Sequence, residues 1–271
     1  MSAQEQKAFF EDQGYLIIED LLTAQEIDTC QHEIGRLHQL AAELQRKGEL
    51  AANNFQCEPF VTDANGEVPI LRKIEQTRTH SAVFGQLSAH PKLVATVQTL
   101  LGDDLLLFRS TLMLKPAHHG SAHALHQDSA YWPIDPPALV TVSIALNDAT
   151  LENGCIKVIP GSHKWGLQEW GGIAQKQDAP LTQRDDLDLS AQIDVPLKAG
   201  SVLFFHSLMA HGSGANTTPH PRNTALYAYF SPHVRYTPDE KQATARTFPV
   251  VAGLNGSEEF TLTATATNAS Q

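Results

Sequence analysis

Cysteine is scarce. Three residues, Cys30, Cys57 and Cys155, lie scattered through 271 positions. An odd, dispersed set gives neither a disulfide framework nor a cysteine-rich zinc site. Long apolar runs are missing too, and no segment approaches the ~18 consecutive apolar residues that cross a bilayer. The opening stretch, MSAQEQKAFFEDQGY, lacks the basic patch and apolar run of a secretory signal. Positive charge is in deficit, with 19 Lys and Arg against 30 Asp and Glu and a net charge of −11 with His neutral. That balance argues against a nucleic-acid backbone or an anionic membrane surface as partner. It leaves room for a small anion held by one local cation. The expectation is a soluble protein of a reducing, cytoplasmic compartment.

What is present is ordinary for a globular chain: 42% apolar and 18% charged residues. The length suits one large domain with a sizeable core. Residues 1–103 read as mainly helical. AQEQKAFFEDQ is a short helix stopped by Gly14, and a strand follows at 15–18. Thr23 begins TAQE, so its hydroxyl and Glu26 can close a capping box. The helix that follows runs to about Gly48, with Ile27, Ile34, Leu37, Leu40 and Leu44 near one face. The stretch HSAVFGQLSAHPKLVATVQTLLG reads as two short helices, the second ended by Gly102.

The pattern changes near position 104. DLLLFRSTLMLKP, ALVTVSIALND, GCIKVIP, SVLFFHSLMAH and NTALYAYFSP are short β-favouring runs separated by Gly, Pro, Asn and Asp signals. Such spacing predicts a sandwich or small barrel over 104–235. Residues 164–198 are longer and polar and suggest a lid inserted over one end. Residues 236–271 read as a C-terminal extension whose tail, TLTATATNASQ, is loosely ordered. No internal repeat is visible.

Chemistry concentrates in HALHQDSAYWP. His126 and Asp128 stand two apart, so on an extended strand they share a face. An imidazole and a carboxylate there supply two positions of a metal's coordination shell. A third ligand must come from another strand, and FFHSLMAHGSG offers His206 and His211. Two His and one carboxylate on one side of a metal, with open positions opposite, is the arrangement of non-haem iron(II) oxygenases. Arg222 lies eleven positions beyond His211. If VLFFHSLMAH and NTALYAYF are antiparallel neighbours, Arg222 returns close to His211, where a guanidinium can fork a carboxylate such as that of 2-oxoglutarate. The bland readings are a hydrogen-bonded surface pair for His126 and Asp128, and a strand-end charge for Arg222. His118, His119 and His123 read as a solvated or rim loop, His163 as a turn or pocket-lining residue, and Asn153 and Gly154 as a turn without chemistry.

The ordered pattern KP…HQD…ENGCIKVIPGSH…HGSGAN…PR, spread over 70–232, resembles the phytanoyl-CoA dioxygenase family of iron- and 2-oxoglutarate-dependent oxygenases. The resemblance implies one oxygenase domain, mainly β with flanking helices, built on a double-stranded β-helix (a cupin-like jelly roll). It implies Fe(II) held by His126, Asp128 and His211, with no catalytic side chain beyond the metal centre. It implies 2-oxoglutarate and O2 as cosubstrates, with Arg222 on the distal carboxylate and Ser213, Lys73 and Thr111 as further cosubstrate contacts. Relatives that halogenate replace the metal-binding carboxylate with a small residue; Asp128 therefore implies hydroxylation of a small-molecule C–H bond, with release of succinate and CO2. Gln127, Tyr131 and Trp132 are candidates for the substrate pocket. Two other classes use the same residues: a cupin-like metal-dependent hydrolase or isomerase, which needs no Arg222 clamp, and a non-catalytic jelly-roll binding module.

Overall fold

The computed structural model describes residues 1–59, 61, 69–170, 186, 189–239 and 242–264. Residues 171–185, 187 and 188 of the 164–198 segment expected as a lid, and the end of the C-terminal tail, lie outside the described residues. Helix α1 (Ala3–Gln13) ends at Gly14 in the left-handed conformation, and β1 follows at Tyr15–Ile18. Helix α2 (Ala24–Lys47) opens with Thr23 and Glu26 in a reciprocal capping box and closes on Gly48. It buries Cys30, Ile34, Leu37, Ala41 and Leu44, a four-three-four-three spacing that makes one apolar stripe. After β2 (Phe55–Cys57) and β3 (Leu71–Glu75) comes a short helix, α3 (Thr77–His80), and then the two expected ones, α4 (Ala82–Leu87) and α5 (Pro91–Leu101).

The β core then runs β4 (Leu105–Lys115), β5 (His123–His126), β6 (Ile134–Asp135), β7 (Leu139–Ala145), β8 (Ile156–Val158), β9 (Ile193–Val195), β10 (Val202–His206), β11 (His211–Ser213) and β12 (Arg222–Phe230). The short β13 (Arg235–Tyr236) pairs with β6, and β14 (Ala245–Ala252) and β15 (Glu259–Thr263) close the order. The larger sheet is arranged β1-β10-β7-β12-β4-β14-β15, with β3 also on β4 and β2 on β3. The smaller sheet is β5-β11-β8-β9, and all pairings are antiparallel. Together these sheets make the jelly roll.

Two expectations are corrected by this topology. The strands VLFFH and NTALYAYF are not neighbours, because β7 lies between β10 and β12 and His211 sits on β11 in the other sheet. The segments flanking 104–235 are not mere additions: β1 joins β10, β3 joins β4, and β14 extends β4, so both chain ends complete the larger sheet. The tail's first residues belong to β15.

Alternation along β12 sets the two faces of this sheet. Ala225, Tyr227 and Tyr229 join the core beneath the helices. Tyr227 donates its hydroxyl hydrogen to Phe84 O at 2.8 Å and Tyr229 to Ser88 O at 2.7 Å, which fixes the helical layer on the sheet. Arg222, Thr224, Leu226 and Ala228 face the opposite way, into a cavity between the two sheets.

His206, the rival to His211 in sequence, points elsewhere. Its ring packs against Phe10 of α1 (centroids 6.3 Å apart) and His163 (5.5 Å), and its Nδ1 accepts from Leu208 N at 3.1 Å. Burial, with His163 adding to it, pushes its pKa down to about 4. An ordinary imidazole titrates near ~6.5. Between those values the unfolded chain takes up a proton that the folded one refuses. Stability is therefore full above about pH 6.5 and falls as the pH drops toward about 4, by about 2–3 kcal/mol from this group. His206→Asn keeps an acceptor for Leu208 and removes the titration. Urea midpoints at pH 7.5 and 4.5 should fall further apart in the wild type than in the variant.

Candidate metal centre and its cavity

The metal-ligand geometry begins with one pair of strands. β5 and β11 are antiparallel, with His126 directly opposite His211 and their ring centroids 4.3 Å apart. The chain stays extended through Gln127, so Asp128 returns to the His126 face even though a 3₁₀ turn begins there. His126 Nε2 lies 3.6 Å and His211 Nε2 3.9 Å from Asp128 Oδ1. One donor atom from each of the three residues falls within a 4.8 Å group, the spacing of a shared metal ion.

The surroundings prepare these donors. His126 Nδ1 is 2.8 Å from Ala124 O and His211 Nδ1 is 2.9 Å from Met209 O. A carbonyl only accepts, so each Nδ1 carries the proton and each Nε2 presents its lone pair inward. Burial, reinforced by His126, pushes His211 down to about 4, so its imidazole is neutral at pH 7. Burial alone would raise Asp128, but His211, His126 and the 2.7 Å hydrogen bond from Thr141 hold it well below the usual carboxylate range. Two imidazoles presenting Nε2 and one carboxylate fit a divalent first-row metal, iron included.

The cavity holding this triad has a volume of about 330 Å³. Arg222 lines it and is only 4% exposed. It donates to Gly154 O at 2.7 Å and Thr224 Oγ1 at 3.2 Å, while its buried Nε has no partner and no carboxylate among the described residues neutralises it. Burial lowers its pKa to about 10, which leaves it cationic at neutral pH. A buried, unneutralised guanidinium is strongly disfavoured unless an anion joins it. Ser213 lines the same cavity.

Lys73 and Thr111 also line it, but both are turned to Glu75. Lys73 and Arg109 form ion pairs with that carboxylate, and Thr111 donates to its Oε2 at 3.0 Å. Burial opposes ionisation of Glu75, yet Arg109 and Lys73 hold its pKa at about 2. Tyr131 and Trp132 stand at the cavity wall.

Gln127 is a correction. It is not a pocket residue: its side chain is fully buried on the far side of the strand. Its amide donates to Gly166 O at 3.0 Å and Leu208 O at 2.7 Å, and its oxygen accepts from Gln168 N at 2.8 Å and Trp170 Nε1 at 3.0 Å. Gln127→Ala should therefore cost about 2–4 kcal/mol by leaving buried groups unpaired, read as a lowered urea midpoint.

Several cavity residues were not singled out from sequence. His123, expected on a solvated or rim loop, opens β5, lines the cavity and accepts from Arg72 Nη2 at 2.9 Å. Lys115 donates to Ser121 O at 2.6 Å and Gly214 O at 2.5 Å. Gly154, expected as a turn without chemistry, does turn the chain at φ +78°, and its carbonyl is what orients Arg222. A Cβ there would collide with the Gly214 carbonyl.

Comparison with known proteins agrees with this geometry. The phytanoyl-CoA dioxygenase (PhyH) family matches residues 10–224. A probable phytanoyl-CoA dioxygenase of Caenorhabditis elegans is 29% identical over 231 residues, covering 79% of this chain and 70% of that protein. An ectoine dioxygenase of Sphingopyxis alaskensis is 28% identical over 245 residues, covering 83% and 74%. The solved structure of EctD from S. alaskensis with 2-oxoglutarate and 5-hydroxyectoine superimposes with a TM-score of 0.67 at 27% identity, covering 87% of this chain and 78% of that one. The His-Asp-His cluster, the jelly roll and the match over most of the chain agree: this protein belongs to the phytanoyl-CoA dioxygenase family of enzymes that use iron, 2-oxoglutarate and O2.

Proposed function

We propose that the protein hydroxylates an unactivated C–H bond of a small molecule, with release of succinate and CO2. The observation that carries this reading is Arg222: a buried guanidinium with no carboxylate of its own among the described residues, in the same cavity as His126, Asp128 and His211. A zinc hydrolase or an isomerase built on the same triad has no use for such a cation. An oxygenase fed by a dicarboxylic keto acid does.

In this reading His126, Asp128 and His211 hold the iron, which supplies O2 activation coupled to oxidative decarboxylation of 2-oxoglutarate. Arg222 takes the distal carboxylate through its free Nε edge, and Ser213 adds a hydroxyl on the same side. Gly154 O and Thr224 keep the guanidinium aimed. Lys73 and Thr111 act through Glu75, as the wall that keeps the cosubstrate end of the cavity in shape. Tyr131 and Trp132 bound the space for the substrate. The protein's part is to present one C–H bond to the metal and exclude others.

The test is an anaerobic titration of metal-free protein with ferrous iron and 2-oxoglutarate. A visible charge-transfer band that requires both additions is expected. Iron binding without any band on adding 2-oxoglutarate would remove the keto-acid role and return the site to a cupin-like metal enzyme. With a substrate in hand, one labelled oxygen atom from O2 should appear in the product and one in succinate.

A further inference from the structure

A second cavity, of about 630 Å³, opens beside the first and shares Arg109, Tyr131 and Trp132 with it. These three side chains are common to both walls, and the metal residues line the first cavity alone. Aromatic rings mark the route outward. Tyr131 packs 6.2 Å from His126, Trp132 packs 4.8 Å from Phe108, and the guanidinium of Arg246 sits 4.7 Å over the Phe108 ring.

The charge on this outer cavity runs against that of the protein. The chain carries −11 overall, yet Arg78, Arg109 and Arg246 line the cavity, and among its described lining residues Glu75 is the sole carboxylate. Glu75 is already shared between Arg109 and Lys73. Arg109 uses Nε and Nη2 on Glu75 and Thr111, and its Nη1 has no hydrogen-bond partner among the described residues. The guanidinium of Arg246 lies over both Phe108 and Phe248, 4.7 and 4.9 Å from their centroids, with one N–H on Phe108 O at 3.4 Å. Contact with the two rings restrains the guanidinium, and its Nε and Nη1 have no hydrogen-bond partner among the described residues. Arg109 and Arg246 also repel one another across the space. Solvated rim arginines that served only solubility would not need to be gathered here, on an acidic protein, around one mouth. Concentrated cations in a concave, partly apolar wall focus field on an anion.

We propose that the substrate carries an anionic group, carboxylate or phosphate, at the end away from its reacting C–H bond, and that Arg246, Arg78 and the free edge of Arg109 receive it. This deepens the hydroxylase reading and rests on it for the location of the reacting end.

The experiment uses the full chain loaded anaerobically with Fe(II) and saturating 2-oxoglutarate, so that Arg222 is already occupied. Hexanoate, hexyl phosphate and hexanamide are titrated at fixed ionic strength, followed by calorimetry and by perturbation of the charge-transfer band. At least one anionic probe should bind about tenfold or more tightly than the amide. Arg246→Gln and Arg78→Gln should each remove most of that preference and leave amide binding as it was. Arg246→Lys should keep part of it, since it retains charge without the planar fork. Whichever anion binds more tightly assigns the source, carboxylate or phosphate ester. Equal binding of the amide, binding of none of the three, or a preference that survives both glutamine variants overturns the proposal. If the band never forms, the reaction assignment fails by itself, and calorimetry on the iron-loaded protein still decides the anion question.

Discussion

Asp128→Ala is expected to lower kcat/KM by more than about a thousandfold, because it removes the one anionic donor of the metal centre, where losing even an outer partner of a ligand costs 10–100-fold. The two imidazoles remain, and an imidazole ligand brings no negative charge. Without the carboxylate nothing in the triad balances the charge of a divalent ion. The apo fold should survive, since the side chain's hydrogen bonds tie it to Thr141 and His126 rather than to the backbone of either sheet. A binding readout separates the metal effect from misfolding. Ferrous iron at a hundredfold over its dissociation constant should raise the unfolding free energy of the wild type by about 2.7 kcal/mol. Asp128→Ala should lose most of that increment while its metal-free urea midpoint stays near the wild type's. Normal turnover in a folded variant would reject Asp128 as a ligand.

The same triad shows what a single sequence can and cannot disclose. His126 and Asp128 were legible because a two-residue spacing on extended backbone puts two side chains on one face, a local rule that needs no partner strand. The capping box at Thr23, the stop at Gly48 and the strand at 15–18 were legible for the same reason. Arg222 reached the right cavity through a wrong premise. Consecutive strands are usually neighbours, but here β11 leaves for the smaller sheet and β7 fills the place beside β12. What brings Arg222 to His211 is the closure of two sheets around one cavity, which depends on pairings between distant segments. Glu75 and Arg72 were hidden differently. Nothing local in LRKIEQ marks them. Their burial follows from β3 pairing with β4, and the partner that explains Glu75, Arg109, lies on that second strand. Gly154 gave a turn signal only, and no sequence rule says that a turn's carbonyl will orient an arginine.

Arg222→Gln should raise the apparent KM for 2-oxoglutarate by about a hundredfold or more, because a buried charge-assisted contact is worth about 3 kcal/mol and each 1.4 kcal/mol is tenfold. Turnover at saturating 2-oxoglutarate should fall much less, since the side chain holds the end of the cosubstrate remote from the metal. The stability of the variant decides whether that is its role. A structural arginine repays its burial within the protein, and its loss destabilises the fold. Arg222 has only a carbonyl and a hydroxyl as partners, with Nε unpaired and its pKa already pushed down to about 10 by burial. Its charge is thus uncompensated until an anion arrives. Without 2-oxoglutarate the variant should be as stable as the wild type or more so, and a glutamine amide can still meet the Gly154 carbonyl. With 2-oxoglutarate and an inert divalent metal, only the wild type should gain stability at cosubstrate concentrations near its own dissociation constant. A variant that unfolds more easily in the absence of 2-oxoglutarate, with an unchanged KM, would make Arg222 a brace between β12 and the Gly154 turn and leave the carboxylate without a receiver.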